Sequence, residues 1–283
     1  MQFGLYTPNY GTFAHPRTLA DLALEAEEAG WDGYFIWDHI LVKKNTRTPM
    51  VDPWVALAAM AMNTKKIRIG TTVTPIARRR PWKLARETVS IDHLSEGRLI
   101  LTVGLGTPAE AEFEAFGEES NQQIRAKKLD EGLDILLGLW SGKSFSYKGE
   151  HYQLEDVRFL PKPIQSPRIP IWVGGGWPRK KPFIRAARYD GVFPLRAGFR
   201  GKLQPNDFQD IVNCITSHRI ASEPFDVVLM GKSQGQNPEK GAQKIAPYEK
   251  VGVTWWLEFL GGSAKLEKIR ERIKQGPPRV SIN

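Results

Sequence analysis

The chain has a single cysteine, Cys214, in 283 residues, which excludes an internal disulfide framework. No apolar run reaches the ~18 residues that a membrane span needs. The opening "MQFGLYTPNYG" lacks the basic-then-apolar order of a signal peptide, so a cytoplasmic location is expected. Histidine is scarce as well. His15, His93, His151 and His218 fall on expected loops or helices at no metal-ligand spacing, and no His/Cys/carboxylate cluster points to zinc, so no metal site is expected. Acid is short relative to base, with 31 Asp and Glu against 40 Lys and Arg, a net charge of +9. Such an excess suits nucleic acid, a membrane surface or an acidic small ligand. No nucleic-acid motif is present, and Phe and Tyr do not interleave with the basic runs as stacking platforms would. Neither nucleic acid nor membrane is the expected partner.

The positive charge sits in two stretches. Residues 158–202 hold eleven Lys or Arg against one acid, Asp190, and residues 65–98 hold nine against three. Both lie near expected strand ends. Hydrophobic patterning alternates strand and helix almost throughout. Strands are expected at "QFGLYTPN", "GYFIWDH", "IRIGTTVTPI", "RLILTVGLG", "IPIWVGG", "DGVFPL", "FDVVLMGKS" and "VTWWLEFL", each followed by a helical segment. Asp52 and Pro53 read as a helix start, and Gly30 and Gly97 as helix stops. Eight such units in this length predict one α/β domain over residues 1–283, a (β/α)8 TIM barrel. A doubly wound open sheet is the competing architecture. Residues 141–170, rich in Pro, Gly and aromatics, break the rhythm and read as an insertion with a short hairpin between strands 4 and 5.

In a barrel, chemistry gathers at the carboxyl ends of the strands. Those ends carry Asn9, Asp38 with His39, Thr72 to Pro75, Gly104 with Gly106, Gly174 to Trp177, Arg196, Lys232 and Glu258. His39 can exchange protons near neutral pH; the competing role is a structural histidine bonding a loop. Arg78 to Arg80 precede the helix start at Pro81, where positive charge opposes the helix dipole. They point either to an anion or to an acidic neighbouring loop. "IWVGGGWPRKKPF" (171–183) joins a strand, three glycines and clustered cations. Exposed backbone N–H groups beside Arg179 and Lys180 suit a phosphate.

Together, "AEEAGWDGYFIWDH", "IRIGTTVTP", "DHLSEGRLILTVGLG", "EFEAFG", "RAKKLDEGLDILLGLW", "GEHYQLEDVRFLPKPIQSPRIPIWVGGG" and "AARYDGVFPL" resemble, in order and spacing, the bacterial luciferase-like monooxygenase family. These are (β/α)8 barrels that use FMN or the deazaflavin coenzyme F-420 (F420). The resemblance implies an oxidoreductase acting on a small organic substrate, by hydride transfer or monooxygenation, and a homodimer. It implies His39 as the catalytic proton donor or acceptor. It also implies Thr72 and Val73 as a bulge, often with a non-prolyl cis peptide, that backs the ring. Asp38, Gly104, Gly106, Gly174, Gly175, Gly176, Trp177 and Arg179 complete the expected cofactor-binding set, and the excursion after strand 4 would cover the pocket. Thr107 and Pro108 stand where sugar-phosphate dehydrogenases of the family place a catalytic glutamate, with Glu110 the nearest acid and Glu112 and Glu114 following. The basic excess, including Arg179, Lys180, Arg196 and Arg200, favours the acidic oligoglutamate tail of F420 over the single phosphate of FMN. The alternative is a non-catalytic flavin-binding barrel, in which aromatics such as Trp177 or Trp255 would plug the ring face.

Overall fold

The computed structural model describes residues 1–199, 201–233 and 235–278. Arg200, counted in the basic stretch, lies outside the described residues. Ten strands and nine α-helices are described: β1 (Gln2–Thr7), α1 (Pro16–Glu28), β2 (Gly33–Ile36), α2 (Pro53–Asn63), β3 (Arg68–Pro75), α3 (Pro81–Leu94), β4 (Leu99–Gly104), α4 (Ala109–Glu112), α5 (Gln122–Trp140), β5 (Phe145–Lys148), β6 (Gln153–Val157), β7 (Ile171–Trp177), α6 (Lys181–Ala186), β8 (Gly191–Arg196), α7 (Pro205–Thr216), β9 (Asp226–Gly231), α8 (Pro238–Glu249), β10 (Trp255–Phe259) and α9 (Leu266–Lys274). Among the described residues no helix is long and apolar enough to cross a membrane.

Eight of the strands close into a parallel barrel in the order β1-β2-β3-β4-β7-β8-β9-β10. The seam is β1 against β10, with Gln2 beside Trp255 and Tyr6 beside Phe259. That closure excludes the open sheet. The other two strands form the antiparallel hairpin β5–β6 within the excursion.

Local signals start several helices where the residues suggest. Asp52 accepts the N–H groups of Trp54 and Val55 ahead of α2, and Asn121 does the same for Gln123 and Ile124 ahead of α5. The strands bury both faces, because helices cover the outside and neighbouring strands fill the inside. Alternation assigns the faces: Trp255 and Leu257 point into the barrel, whereas Trp256 packs outward. Phe35, Trp172 and Trp255 meet inside with ring centroids 5.1–5.7 Å apart. Gly33 makes room for them, since a Cβ there would lie 2.6 Å from the Phe35 ring and 2.8 Å from Trp255. These rings fill the lower barrel, below an open space at the carboxyl ends of the strands.

Candidate functional site

That open space is a cavity of about 870 Å³ bordered by the ends of all eight barrel strands. Its most ordered wall begins at Asp38, just past β2. The buried Asp38 carboxylate accepts from Arg79 Nη2 at 2.7 and 3.0 Å, Arg78 Nη2 at 2.9 Å, Thr74 Oγ1 at 2.9 Å and Trp54 Nε1 at 3.2 Å. Burial alone would raise its pKa. The Arg79 and Arg78 guanidiniums outweigh that and hold it below the usual carboxylate range. Asp38 therefore borders the cavity with its carboxylate committed to four protein side chains, not offered to a ligand.

His39 follows. Asn9 Nδ2 fixes its carbonyl at 2.8 Å and ties the same loop to Val51 O at 2.7 Å. The His39 Nδ1 stands 2.6 Å from Glu112 Oε1. Facing a carboxylate that only accepts, Nδ1 would be the nitrogen that carries the proton, with Nε2 left for other chemistry. Glu112, at the end of the four-residue α4, is 1% exposed and also receives the N–H groups of Ile40 and Leu41 at 3.3 Å. Its second oxygen lies 3.3 Å from Arg78 Nε. Arg78 thus joins Asp38 to Glu112, and Arg79 serves Asp38. Of the two explanations for the arginine run, the acidic neighbour accounts for both residues. Arg80 is exposed beside Trp82.

The end of β3 supplies the floor of this wall. Its register with β4 runs Thr71 to Leu101, then Thr74 to Val103, so the bulge at Thr72 and Val73 inserts one extra residue. The Thr72–Val73 peptide is cis. Val73 projects between two glycines. A Cβ on Gly104 would lie 2.9 Å from Val73 Cγ2, and one on Gly174 would lie 2.7 Å from Val73 Cγ1. The glycines at these strand ends make room for Val73 and leave it bordering the cavity. Thr72 Oγ1 is buried without a hydrogen-bond partner at the same wall.

Gly175 faces outward, where a Cβ would lie 2.5 Å from Pro182, and Gly176 faces Ala197 at 3.2 Å. The β4–β7 ladder ends at Val103 and Val173, so Gly174 to Gly176 pair only with β8. Arg179 borders the cavity and is exposed. Arg185 also borders it, but pairs with Asp130 at 2.8 Å through Nη2. Trp177 does not border the cavity. The strand's alternation turns it outward, and its indole packs edge-on against Phe183 at 5.2 Å. Lys180 and Lys181 are exposed and outside the cavity wall as well. The helix after them, α6, has only six residues, so Arg179 and backbone N–H groups, more than a helix dipole, are what this corner could offer an anion.

The excursion over 141–170 does not cover the pocket, which corrects the expectation from the sequence. Its hairpin packs on α5, where Glu131 accepts the N–H groups of Glu150, His151 and Tyr152. Its second half runs along α3, where Asp92 accepts from Ile164 and Gln165. The chain must travel there because a parallel β7 is entered from the opposite end of the barrel. The cover is the earlier part of the same connection, residues 105–125. Gly106 turns it with φ of +77°, and Arg125 holds it by donating to Leu105 O at 2.7 Å and Gly106 O at 2.9 Å. Burial draws Arg125 below the ordinary arginine value, and its hydrogen-bond partners among the described residues are all carbonyls. Glu112 and Arg125 were not singled out as functional residues in the sequence. The one available signal for Glu112 was the acid-rich run just past β4.

The family model for luciferase-like monooxygenases matches residues 1–201. The chain belongs to that family. Among curated relatives, this luciferase-like chain is 33% identical over 167 residues to an F420-dependent glucose-6-phosphate dehydrogenase of Amycolatopsis mediterranei (strain U-32), covering 58% of this chain and 49% of the relative. It is 30% identical over 160 residues to an F420-dependent hydroxymycolic acid dehydrogenase of Mycobacterium tuberculosis (strain ATCC 25618 / H37Rv), covering 56% and 43%. The chain spans about half the length of the curated relatives it matches. Among solved structures, it superposes with a TM-score of 0.80 and 17% identity on an F420-dependent secondary alcohol dehydrogenase in complex with an F420-acetone adduct, over 98% of each chain. A type II Baeyer-Villiger monooxygenase with FMN, from Pseudomonas putida, gives 0.76 at 14% identity over 100% and 99%. These likenesses show the shared barrel.

Proposed function

We propose that this chain is a flavin-type oxidoreductase that uses F420, in preference to FMN, to exchange hydride with a small organic substrate. The carrying observation is the Glu112–His39 pair, which stands in the same cavity wall as the Thr72–Val73 bulge. The site fits such a cofactor on its own evidence. Val73 gives an apolar platform, Thr72 Oγ1 is an unmatched buried polar atom, and Arg125 and Arg179 bring positive charge to the cavity wall. Thr72, Val73, Gly104, Gly106 and Gly174 would hold the ring end. Gly175, Gly176, Arg179 and Arg125 would hold the phosphate-bearing end. The bound cofactor supplies hydride acceptance or donation. His39 holds or moves the substrate proton at Nε2, Glu112 keeps the other ring proton on Nδ1, and the cover formed by 105–125 excludes water.

Three points support this reading over its alternatives. The curated relatives are named for F420. Arg179 and Arg125 border the cavity without carboxylate partners among the described residues, which suits an acidic tail better than one phosphate. Trp177 faces outward and Trp255 lies in the packed barrel below, so neither plugs the ring face of a non-catalytic flavin carrier. Purified protein titrated with F420 and with FMN, followed by cofactor fluorescence, tests the proposal; tighter binding of FMN reverses the cofactor choice. His39→Ala should keep cofactor affinity while turnover drops by about 10²–10⁴-fold. Full activity in that variant removes His39 from the mechanism.

A further inference from the structure

The β1–β2 ladder runs from Gly4 and Gly33 to Thr7 and Ile36, and the Trp37 N–H carries it one step on by donating to Thr7 O at 2.9 Å. In a longer parallel pair the His39 N–H would donate to Asn9 O. That oxygen receives the Val51 N–H instead, at 3.0 Å. The Asn9 side chain supplies the missing pairing. Its Oδ1 faces the His39 N–H at 3.4 Å, and its amide nitrogen directs its two hydrogens to His39 O at 2.8 Å and Val51 O at 2.7 Å. Asn9 is fully buried and meets the N–H and the C=O of both residues.

His39 and Val51 are the two ends of the loop that joins β2 to α2. Lys43, Lys44, Asn45, Arg47 and Pro49 in its middle are exposed. The returning limb is tied to the same stretch of chain: the Gly11 N–H donates to Pro49 O at 3.0 Å, and Tyr10 and Met50 form an isolated antiparallel bridge. On the departing limb the Ile40 and Leu41 N–H groups reach Glu112 at 3.3 Å. Asn9 therefore closes the neck of a loop whose tip is in water, and the first residue inside that neck is His39.

The neck matters to the ring. Exposed loop segments move on nanosecond-to-microsecond times, and a histidine whose backbone moved with them would swing its imidazole. The Glu112 contact at Nδ1 holds the ring at one atom, about which it can still pivot. Held through its backbone N–H and C=O as well, the residue has a set direction for Nε2. Proton transfer depends on that direction, because a misplacement of ~1 Å costs about 10²-fold in rate. A carboxamide suits the position, since it is neutral, accepts one N–H and donates twice. A carboxylate there would face two carbonyl oxygens with no hydrogen to offer.

We propose that Asn9 is a positioning residue for His39: by pairing with both ends of the 39–51 loop it keeps the imidazole aimed at the cavity. Asn9 is not part of the cavity wall and acts only through His39. The inference rests on the reading of His39 as the group that handles the proton.

The test reads the ring itself, by proton and nitrogen NMR of the purified protein, with the His39 signals assigned from His39→Ala. The wild-type protein should show one downfield Hδ1 resonance for the bond to Glu112. Asn9→Ala should move it upfield and speed its exchange with water at least tenfold. The ring nitrogen shifts of His93, bonded through Nε2 to Lys162 O at 2.9 Å on α3, should stay as in the wild type, a contrast that general loosening of the fold would not produce. Asn9→Ser, which keeps a small polar group, is read in its place where the alanine variant does not fold. An unaltered His39 resonance in the variants, equal changes at His39 and His93, or a wild-type protein without the downfield resonance overturns the proposal. None of these measurements uses turnover, so they judge Asn9 apart from the oxidoreductase reading, which fails if neither F420 nor FMN binds.

Discussion

In Glu112→Gln the carboxylate that holds His39 becomes an amide of nearly the same shape. Four contacts change: the N–H bonds from Ile40 and Leu41 become neutral, and the other two change as follows. The 2.6 Å charge-assisted bond to His39 Nδ1 loses its charge, and the 3.3 Å approach to Arg78 Nε becomes ion–dipole. Arg78 keeps Asp38 at 2.9 Å, so the fold retains its main anchor there. A hydrogen bond to a charged group contributes about 1.5–3 kcal/mol. If that is expressed while His39 handles the proton, turnover falls by about 10- to 150-fold. The amide can also donate to Nδ1 and move the imidazole proton to Nε2, the nitrogen the chemistry needs free, but only by turning its NH2 toward the Ile40 and Leu41 N–H groups, so the shift of tautomer is partial. The direct assay is the nitrogen chemical shifts of the His39 ring by heteronuclear NMR, assigned by comparison with His39→Ala. The wild-type protein should show the Nδ1–H tautomer, and Glu112→Gln a mixture of the two tautomers. Cofactor affinity should stay within a fewfold, so that the loss appears in kcat and in the pH–rate profile. A wild-type Nε2–H tautomer, or full turnover with an unaltered profile in Glu112→Gln, refutes the reasoning.

Gly174→Ala places a methyl 2.7 Å from Val73 Cγ1, which should displace the ring platform and cost about 1–3 kcal/mol of stability as overpacking; wild-type cofactor affinity and melting temperature would show that the close fit has no role. Arg179→Glu, on an exposed residue, should weaken F420 binding about 5- to 30-fold at low salt and FMN binding less, with the difference shrinking as salt is added. Equal losses for both cofactors would mean that no acidic tail passes there. Asp38→Asn breaks a buried ion cluster and should cost about 3–5 kcal/mol in denaturant unfolding. Because the folded-state pKa of Asp38 lies below its unfolded value near 3.8, its contribution is present above about pH 4 and lost as pH falls through the folded value. The wild-type protein should therefore lose stability on acidification below that point more steeply than the variant.

Much of this architecture was legible in the residues. Strand and helix periods differ, and each is set by neighbours within a few positions, so all eight barrel strands and the hairpin excursion could be read in order. The strand ends were legible for the same reason, and they carry His39, the Thr72–Val73 bulge and the glycines. Less accessible was the use to which these residues are put. Gly104 and Gly174 read as bare backbone awaiting a ring or a phosphate, yet their missing side chains are filled by Val73. Trp177 read as part of the pocket because it follows three glycines, but the two-residue alternation of β7 sends it to Phe183. Arg78 and Arg79 left an anion and an acidic neighbour equally open until Asp38 and Glu112 were seen beside them.

Local sequence by itself determined the alternation of strands and helices, the concentration of positive charge near two strand ends, and the position of His39 just beyond β2. Tertiary structure alone decided that Glu112, 73 positions later, meets His39, that Arg78 bridges it to Asp38, and that residues 105–125, not 141–170, cover the cavity. It also assembled Tyr6, Trp37 and Phe259 into one wall, because β1 lies between β2 and the last strand only once the barrel closes. The division is physical. Backbone preference and hydrophobic period act over a few residues, whereas these contacts exist only after strands distant in sequence pair around a common axis.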